Sequence, residues 1–190
     1  MPNDILESVK DFNTITIFRH VFADMDAIGS QFGLKYYLES AYPNKKIYCL
    51  GSNCPVSQRN NVHMDVVDDE VVASSLAIVL DTSNAARIDD ERYQLAKKSI
   101  RIDHHVQVET ICDEEWIDDK ASATCELLAL YLQEKRVNIP VESALMLYLG
   151  LTADNIRFTT NNVRPATFDA AKYLFEQGVD VTKVEQLNFS

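Results

Sequence analysis

With 190 residues, 46% of them apolar and 25% charged, the chain has the length and balance of one folded globular domain and not of a disordered segment. Its 18 basic and 29 acidic residues give a net charge of −11, which excludes an unassisted grip on long duplex nucleic acid. A phosphate-bearing ligand stays open, because cations held by clustered carboxylates reverse the local field.

The opening stretch MPNDILESVKDF is amphipathic and acidic and has no apolar core, so no signal peptide is expected. Residues 14–19 (TITIFR) then read as a strand, followed over 26–40 by helical spacing through Ile28, Phe32, Leu34, Tyr36 and Leu38. Further strands are expected at 46–50 (KIYCL), 75–80 (SLAIVL) and 99–103 (SIRID), with a short polar helix over 86–97. Beyond about residue 119 the pattern is helical only. Ser122 is the expected cap of one helix, with Glu126 in its first turn. Pro140 and Pro165 stand at two further helix entrances, Gly178 is a stop, and DVTKVEQLNFS reads as a last helix. Alternating strands and helices predict a doubly wound, mostly parallel α/β sheet flanked by helices, with an additional C-terminal helical layer. The apolar runs are too short to span a bilayer, so no membrane partner is expected. Four cysteines, Cys49, Cys54, Cys112 and Cys125, form no CxxC pair, and reduced thiols in the cytoplasm are the expectation.

Three of the expected strands end in acids or histidines. The first runs into His20, Asp24 and Asp26, the third into Asp81, and the fourth into Asp103, His104 and His105. Asp154, in GLTADNIRF, follows an apolar helix. Each piece has a plainer reading. A lone aspartate after a strand is usually a turn or cap residue, and His63 reads as a packed or surface histidine. Together they are harder to explain, because ligands of parallel α/β sheets bind at the carboxyl ends of the strands. So many carboxylates and imidazoles at one rim would repel unless cations neutralised them. A mixed Asp/His set without thiolate favours Mn²⁺ and leaves Zn²⁺, Co²⁺ and Fe²⁺ open. The number of ligands suggests two ions, which at roughly 3.5–4 Å apart can clamp a phosphoryl group. No GxxxxGK[ST] loop, GxGxxG turn or GxSxG elbow is present. Gly29 reads as permitting close packing and Ser30 as lying near the cleft; Arg87, Arg101 and Arg157 could hold phosphate or pair with nearby acids.

In order, HVFADMDAIGS, VLDTSN, RIDHH, ASATCELL and GLTADNIRF…ATFDAAKYLFEQGVD resemble the motifs of the DHH phosphoesterases over residues 14 to about 182. That resemblance implies a dinuclear, usually manganese-dependent phosphoesterase. His20, Asp24 and Asp81 would hold one ion, and Asp26, Asp81, His104 and Asp154 the second, with Asp81 shared. His105 would touch the scissile phosphate or sit behind the ligands, and Asp103 would orient a neighbouring histidine. Within the family the likeness is to the bacterial subgroup that degrades very short RNAs and dephosphorylates adenosine 3′,5′-bisphosphate. Short RNA or nucleotides are therefore the expected substrates, with a homodimer allowed for. Ala23 and Met25 stand where proline and glycine are common, and Asn155 follows the last ligand where threonine is common. The family's glycine- and histidine-rich second domain has no counterpart motif, so residues 1–190 are read as the catalytic domain alone, with weak activity. Manganese pyrophosphatase, cyclic dinucleotide hydrolase and a degenerate scaffold are the competing readings.

Overall fold

The computed structural model describes residues 4–189. Its strands are β1 (Thr14–Phe18), β2 (Lys46–Cys49), β3 (Leu76–Leu80), β4 (Lys98–Asp103) and β5 (Glu114–Ile117). They form one sheet in the order β2-β1-β3-β4-β5, and every neighbouring pair is parallel. The sequence LAIVL is apolar throughout because β3 lies mid-sheet and is buried along its whole length. Register sets Ile17 beside Ile78 and Ile78 beside Ile100, making a branched apolar ridge on one face.

The helices are α1 (Ile5–Lys10), α2 (Met25–Ala41), α3 (Pro55–Arg59), α4 (Asp69–Ala73), α5 (Thr124–Glu134), α6 (Val141–Asp154), α7 (Pro165–Glu176) and α8 (Val181–Phe189). The ridge is covered by α2 and α5, and α6 crosses α2 outside them, with α7 on α5 and α6, and α8 on α6. This is the additional helical layer. On the opposite face Phe18, Leu50, Ala77 and Val79 pack beneath Val72 of α4 and Tyr93.

Two glycines let α2, α5 and α6 approach closely. A Cβ on Gly29 would lie 2.5 Å from the Met146 carbonyl oxygen, and one on Gly150 would lie 2.4 Å from Cys125 Sγ and 3.0 Å from the Asp26 Cα. That crossing sets the start of α2 against the end of α6.

The four strands read from the sequence fall where expected; other features differ. Residues 86–97 form not one helix but two 3₁₀ turns, Ala85–Arg87 and Glu91–Leu95. Between them the backbone is drawn onto the β1 exit by a bridge from Ile88 to His20 and by the Asp89 N–H donating to the Arg19 carbonyl at 3.0 Å. Ser122 is not the cap of α5. Ala123 occupies that position, and the Ser122 hydroxyl donates instead to Glu126 at 2.6 Å. Strand β5 is an unanticipated edge, half-buried and paired in parallel with β4, with Lys98 on Glu114 at 2.6 Å beside the pairing.

Candidate metal centre

From β1 the chain winds outward to β2 and then crosses back to β3 on the other side of β1, so the winding reverses at β1 and a crevice opens at the strands' carboxyl ends. Into it project the predicted residues. His20 follows β1, Asp24 caps α2 and Asp26 lies in its first turn, while Asp81 follows β3. His104 and His105 follow β4, and Asp154 ends α6. Three groups of potential ligand atoms result, each within 4.8 Å: His20, Asp24 and Asp81; Asp26, His104 and Asp154; and Asp81, His104 and His105.

Asp81 divides its two oxygens between them. Oδ2 lies 3.4 Å from His20 Nε2, whereas Oδ1 lies 3.4 Å from His104 Nε2 and accepts from the Thr124 hydroxyl at 3.1 Å. His104 Nε2 is also 3.3 Å from Asp154 and 3.8 Å from Asp26, and His20 Nε2 is 3.6 Å from Asp24. Both rings are pinned from behind. His20 Nδ1 bonds the Val21 carbonyl at 2.6 Å and His104 Nδ1 the Ala121 carbonyl at 3.3 Å, which assigns the proton to Nδ1 and frees Nε2 as a donor to a cation.

Backbone features fix the carboxylates. Asp24 accepts from the Ala27 N–H at 3.0 Å with one oxygen, as an N-cap does, and presents the other. Asp26 accepts from the Thr124 and Cys125 N–H groups, at 2.6 and 2.9 Å, so it stands on the positive end of α5. Asp81 is held at φ 52°, a left-handed conformation that costs a non-glycine residue about 1–2 kcal/mol. After Asp154 three successive residues, Ile156, Arg157 and Phe158, are also left-handed, at φ 48°, 57° and 65°. Buried Asn155 secures that reversal by accepting from the Phe158 N–H at 2.8 Å.

The crowded acids and histidines shift one another strongly. Burial alone would hold His20 neutral, but Asp24 and Asp81 outweigh it and push its pKa up to about 10. Burial opposes charge on His104 too, and Asp81, Asp26 and Asp154 again lift it to about 10. Burial, reinforced by Asp81, pushes Asp154 up to about 6, and burial beside Asp81 and Asp154 raises Asp26. Asp81 is drawn below the usual carboxylate range, the two histidines overcoming its burial. Protons here do the work of counter-charge. Carboxylate and imidazole donors with excess negative charge fit divalent cations.

Around this centre Asp103, fully buried, accepts from His105 Nδ1 at 2.7 Å and from Arg101 at 2.9 Å. Arg101 is itself buried and reaches Glu115 at 3.5 Å, so it serves this internal network and not the crevice. Ser30 lies inside α2 with its hydroxyl donating to the Ala27 carbonyl at 3.1 Å, without exposure to the crevice. Arg87 and Arg157 are exposed on the turns beside His20 and Asp154, and His63 is on the surface. Sequence reasoning missed the support beneath the site. Glu126, fully buried, accepts from the Ser122 N–H and hydroxyl, the Thr167 hydroxyl and Arg164 Nε, and Ser122 in turn meets Asn155 at 3.4 Å. Its only sequence trace is an acid in the first turn of α5.

Fold and site together define an all-parallel α/β protein with a carboxylate–imidazole centre at its strand ends. The chain belongs to the DHH family: the pattern described as "DHH family, N-terminal domain" matches residues 14–151, including the triplet Asp103, His104 and His105. It is 35% identical over 179 residues to the "Bifunctional oligoribonuclease and PAP phosphatase NrnA" of Bacillus subtilis, covering 93% of this chain and 57% of that one. It is 37% identical over 181 residues to protein MG371 of Mycoplasma genitalium, covering 94% and 56%. The chain thus spans a little over half the length of these relatives. In fold it is similar to an exopolyphosphatase-related protein from Bacteroides fragilis, with a TM-score of 0.83, 23% identity, and coverage of 97% and 58%.

Proposed function

We propose that the chain is the catalytic part of a phosphoesterase that uses two divalent cations, Mn²⁺ by preference, to hydrolyse short oligoribonucleotides and nucleotides such as adenosine 3′,5′-bisphosphate. The observation that carries this reading is Asp81, whose two oxygens face two separate ligand groups. The similarity to a relative named for oligoribonuclease and PAP phosphatase activity supports the substrate class.

His20, Asp24 and Asp81 would hold one cation, and Asp26, Asp81, His104 and Asp154 the other. Bound there, the cations supply Lewis acidity and lower the pKa of water. The protein's own residues do the rest. Nδ1 protons on His20 and His104, fixed by carbonyl groups, keep both Nε2 atoms turned inward. Asp103 accepts from His105 Nδ1–H and favours the protonated ring, and the imidazolium then has its Nε2–H to donate to a phosphoryl oxygen and stabilise charge as it develops. Arg87 and Arg157 flank the opening and could meet further phosphates. The free thiols of all four cysteines suit a reducing cytoplasm, and no helix among the described residues is long and apolar enough to cross a membrane.

Calorimetric titration with Mn²⁺ should give two equivalents per chain, and a panel of dinucleotides, adenosine 3′,5′-bisphosphate, cyclic dinucleotides and pyrophosphate should show hydrolysis of the first two. Uptake of no cation, or turnover of pyrophosphate alone, would remove the reading.

A further inference from the structure

Beside the centre, on the β2 side of the loop that carries His20 and Asp24, lies a cavity of about 560 Å³. Its walls include Val21, Ala23, Pro55 and Val56, with Cys54 between them. Phe22 stands at the wall with 94% of its surface exposed and its backbone at φ 53°, in the left-handed region. It is placed two residues from His20 and two from Asp24. A phenylalanine gains nothing in the fold from an exposed ring on a strained backbone, so the position itself needs a reason. The Val21 N–H donating to the Arg87 carbonyl at 2.7 Å holds the loop in this shape.

The cavity also carries a small set of polar groups. Arg19 is 1% exposed and stiffens the wall, its guanidinium donating to the Asp89 carboxylate and to the Ser52 and His20 carbonyls. Asn53 Oδ1 is taken by the Met64 N–H at 3.0 Å, which leaves its amide Nδ2 as a donor on the same wall. An aromatic face, aliphatic walls and a donor at a known position are what a flat, acceptor-rich heteroaromatic ring requires.

We propose that this cavity receives the base of the nucleotide whose phosphate lies over the Asp81 centre, with Phe22 as its stacking face and Asn53 as a donor to its ring acceptors. The proposal rests on the phosphoesterase reading for the placement of that phosphate. Selection would then come from the presence of a base and only weakly from its identity, because stacking accepts any base.

Cys54 makes the site directly readable, since it lines the cavity and is half-buried while Cys49, Cys112 and Cys125 are buried. Iodoacetamide labelling of Cys54, followed by peptide mass, is measured with Mn²⁺ and either adenosine 5′-monophosphate or ribose 5-phosphate. The nucleotide should slow labelling at least about fivefold and the base-free sugar phosphate should leave it within about twofold. In Phe22→Ala, about tenfold more nucleotide should be needed for half-protection, as the loss of one stacked base predicts. Equal protection by both ligands, none by the nucleotide, or an unchanged Phe22→Ala curve would overturn the proposal. Base-dependent protection without turnover of any phosphate ester would instead remove the phosphoesterase reading and keep the cavity as a nucleotide site.

Discussion

Asp81 concentrates the site's dependence in one side chain. One of its oxygens faces His20 and the other faces His104, so Asp81→Asn should abolish uptake of both cations, whereas Asp24→Asn should reduce the stoichiometry from two to one. Calorimetry with Mn²⁺ separates the cases; equal losses in both variants would contradict a shared ligand. The convergence of the strand-end acids and histidines was legible in the sequence because each interrupts an apolar run with a group that packing cannot use. The second role of Asp26 was not, since the N–H groups it holds belong to Thr124 and Cys125, far away in the chain. Ser30 illustrates the opposite error: its spacing places it near the candidate ligands in sequence, but helical phase turns it onto the buried face of α2.

Between elements, the packing of α2 against α6 decides how far Asp26 stands from Asp154. Gly29→Ala places a methyl group against the Met146 backbone, where nothing flexible can yield. We expect a loss of about 1–3 kcal/mol in urea unfolding, together with weaker cation uptake although no ligand has changed. Uptake at wild-type affinity in a destabilised variant would detach the crossing from the site. Glu126→Ala removes a buried carboxylate that four donor groups share, and should cost about 3 kcal/mol by the same measurement. The central strands and long helices could be read from the sequence because their apolar patterns outlast local noise. β5 could not, because Glu114 and Glu115 serve it through Lys98 and Arg101 on the neighbouring strand. α3 and α4, of five residues each, are shorter than the window in which helical periodicity shows.

At the scale of the molecule, the buried histidines link folding to pH. Unfolded histidines lose their protons near 6.5, whereas folded His20 and His104 keep theirs to about 10. Over that window the native state binds more protons, so the cation-free chain should lose stability as pH rises. Asp154 acts in the same direction lower down, between 3.8 and about 6. Thermal melts between about pH 6.5 and 9 should therefore fall without cations and flatten when Mn²⁺ saturates the centre. Binding near pH 7.5 should also release about two protons per chain, one each from His20 and His104, measurable in weakly buffered solution. A cation-free melting temperature that rises with pH would contradict the charge balance described for the centre.

Asp26 also tells how such a protein would decay. Its carboxylate fastens two amides at the head of α5, a task that needs both oxygens and has no simple substitute. Asp24 caps α2 with one oxygen, which serine or asparagine could do equally well. In a lineage that abandoned the proposed reaction, drift would reach Asp24 early and Asp26 last, so an intact Asp26 would be weak testimony that a descendant still works.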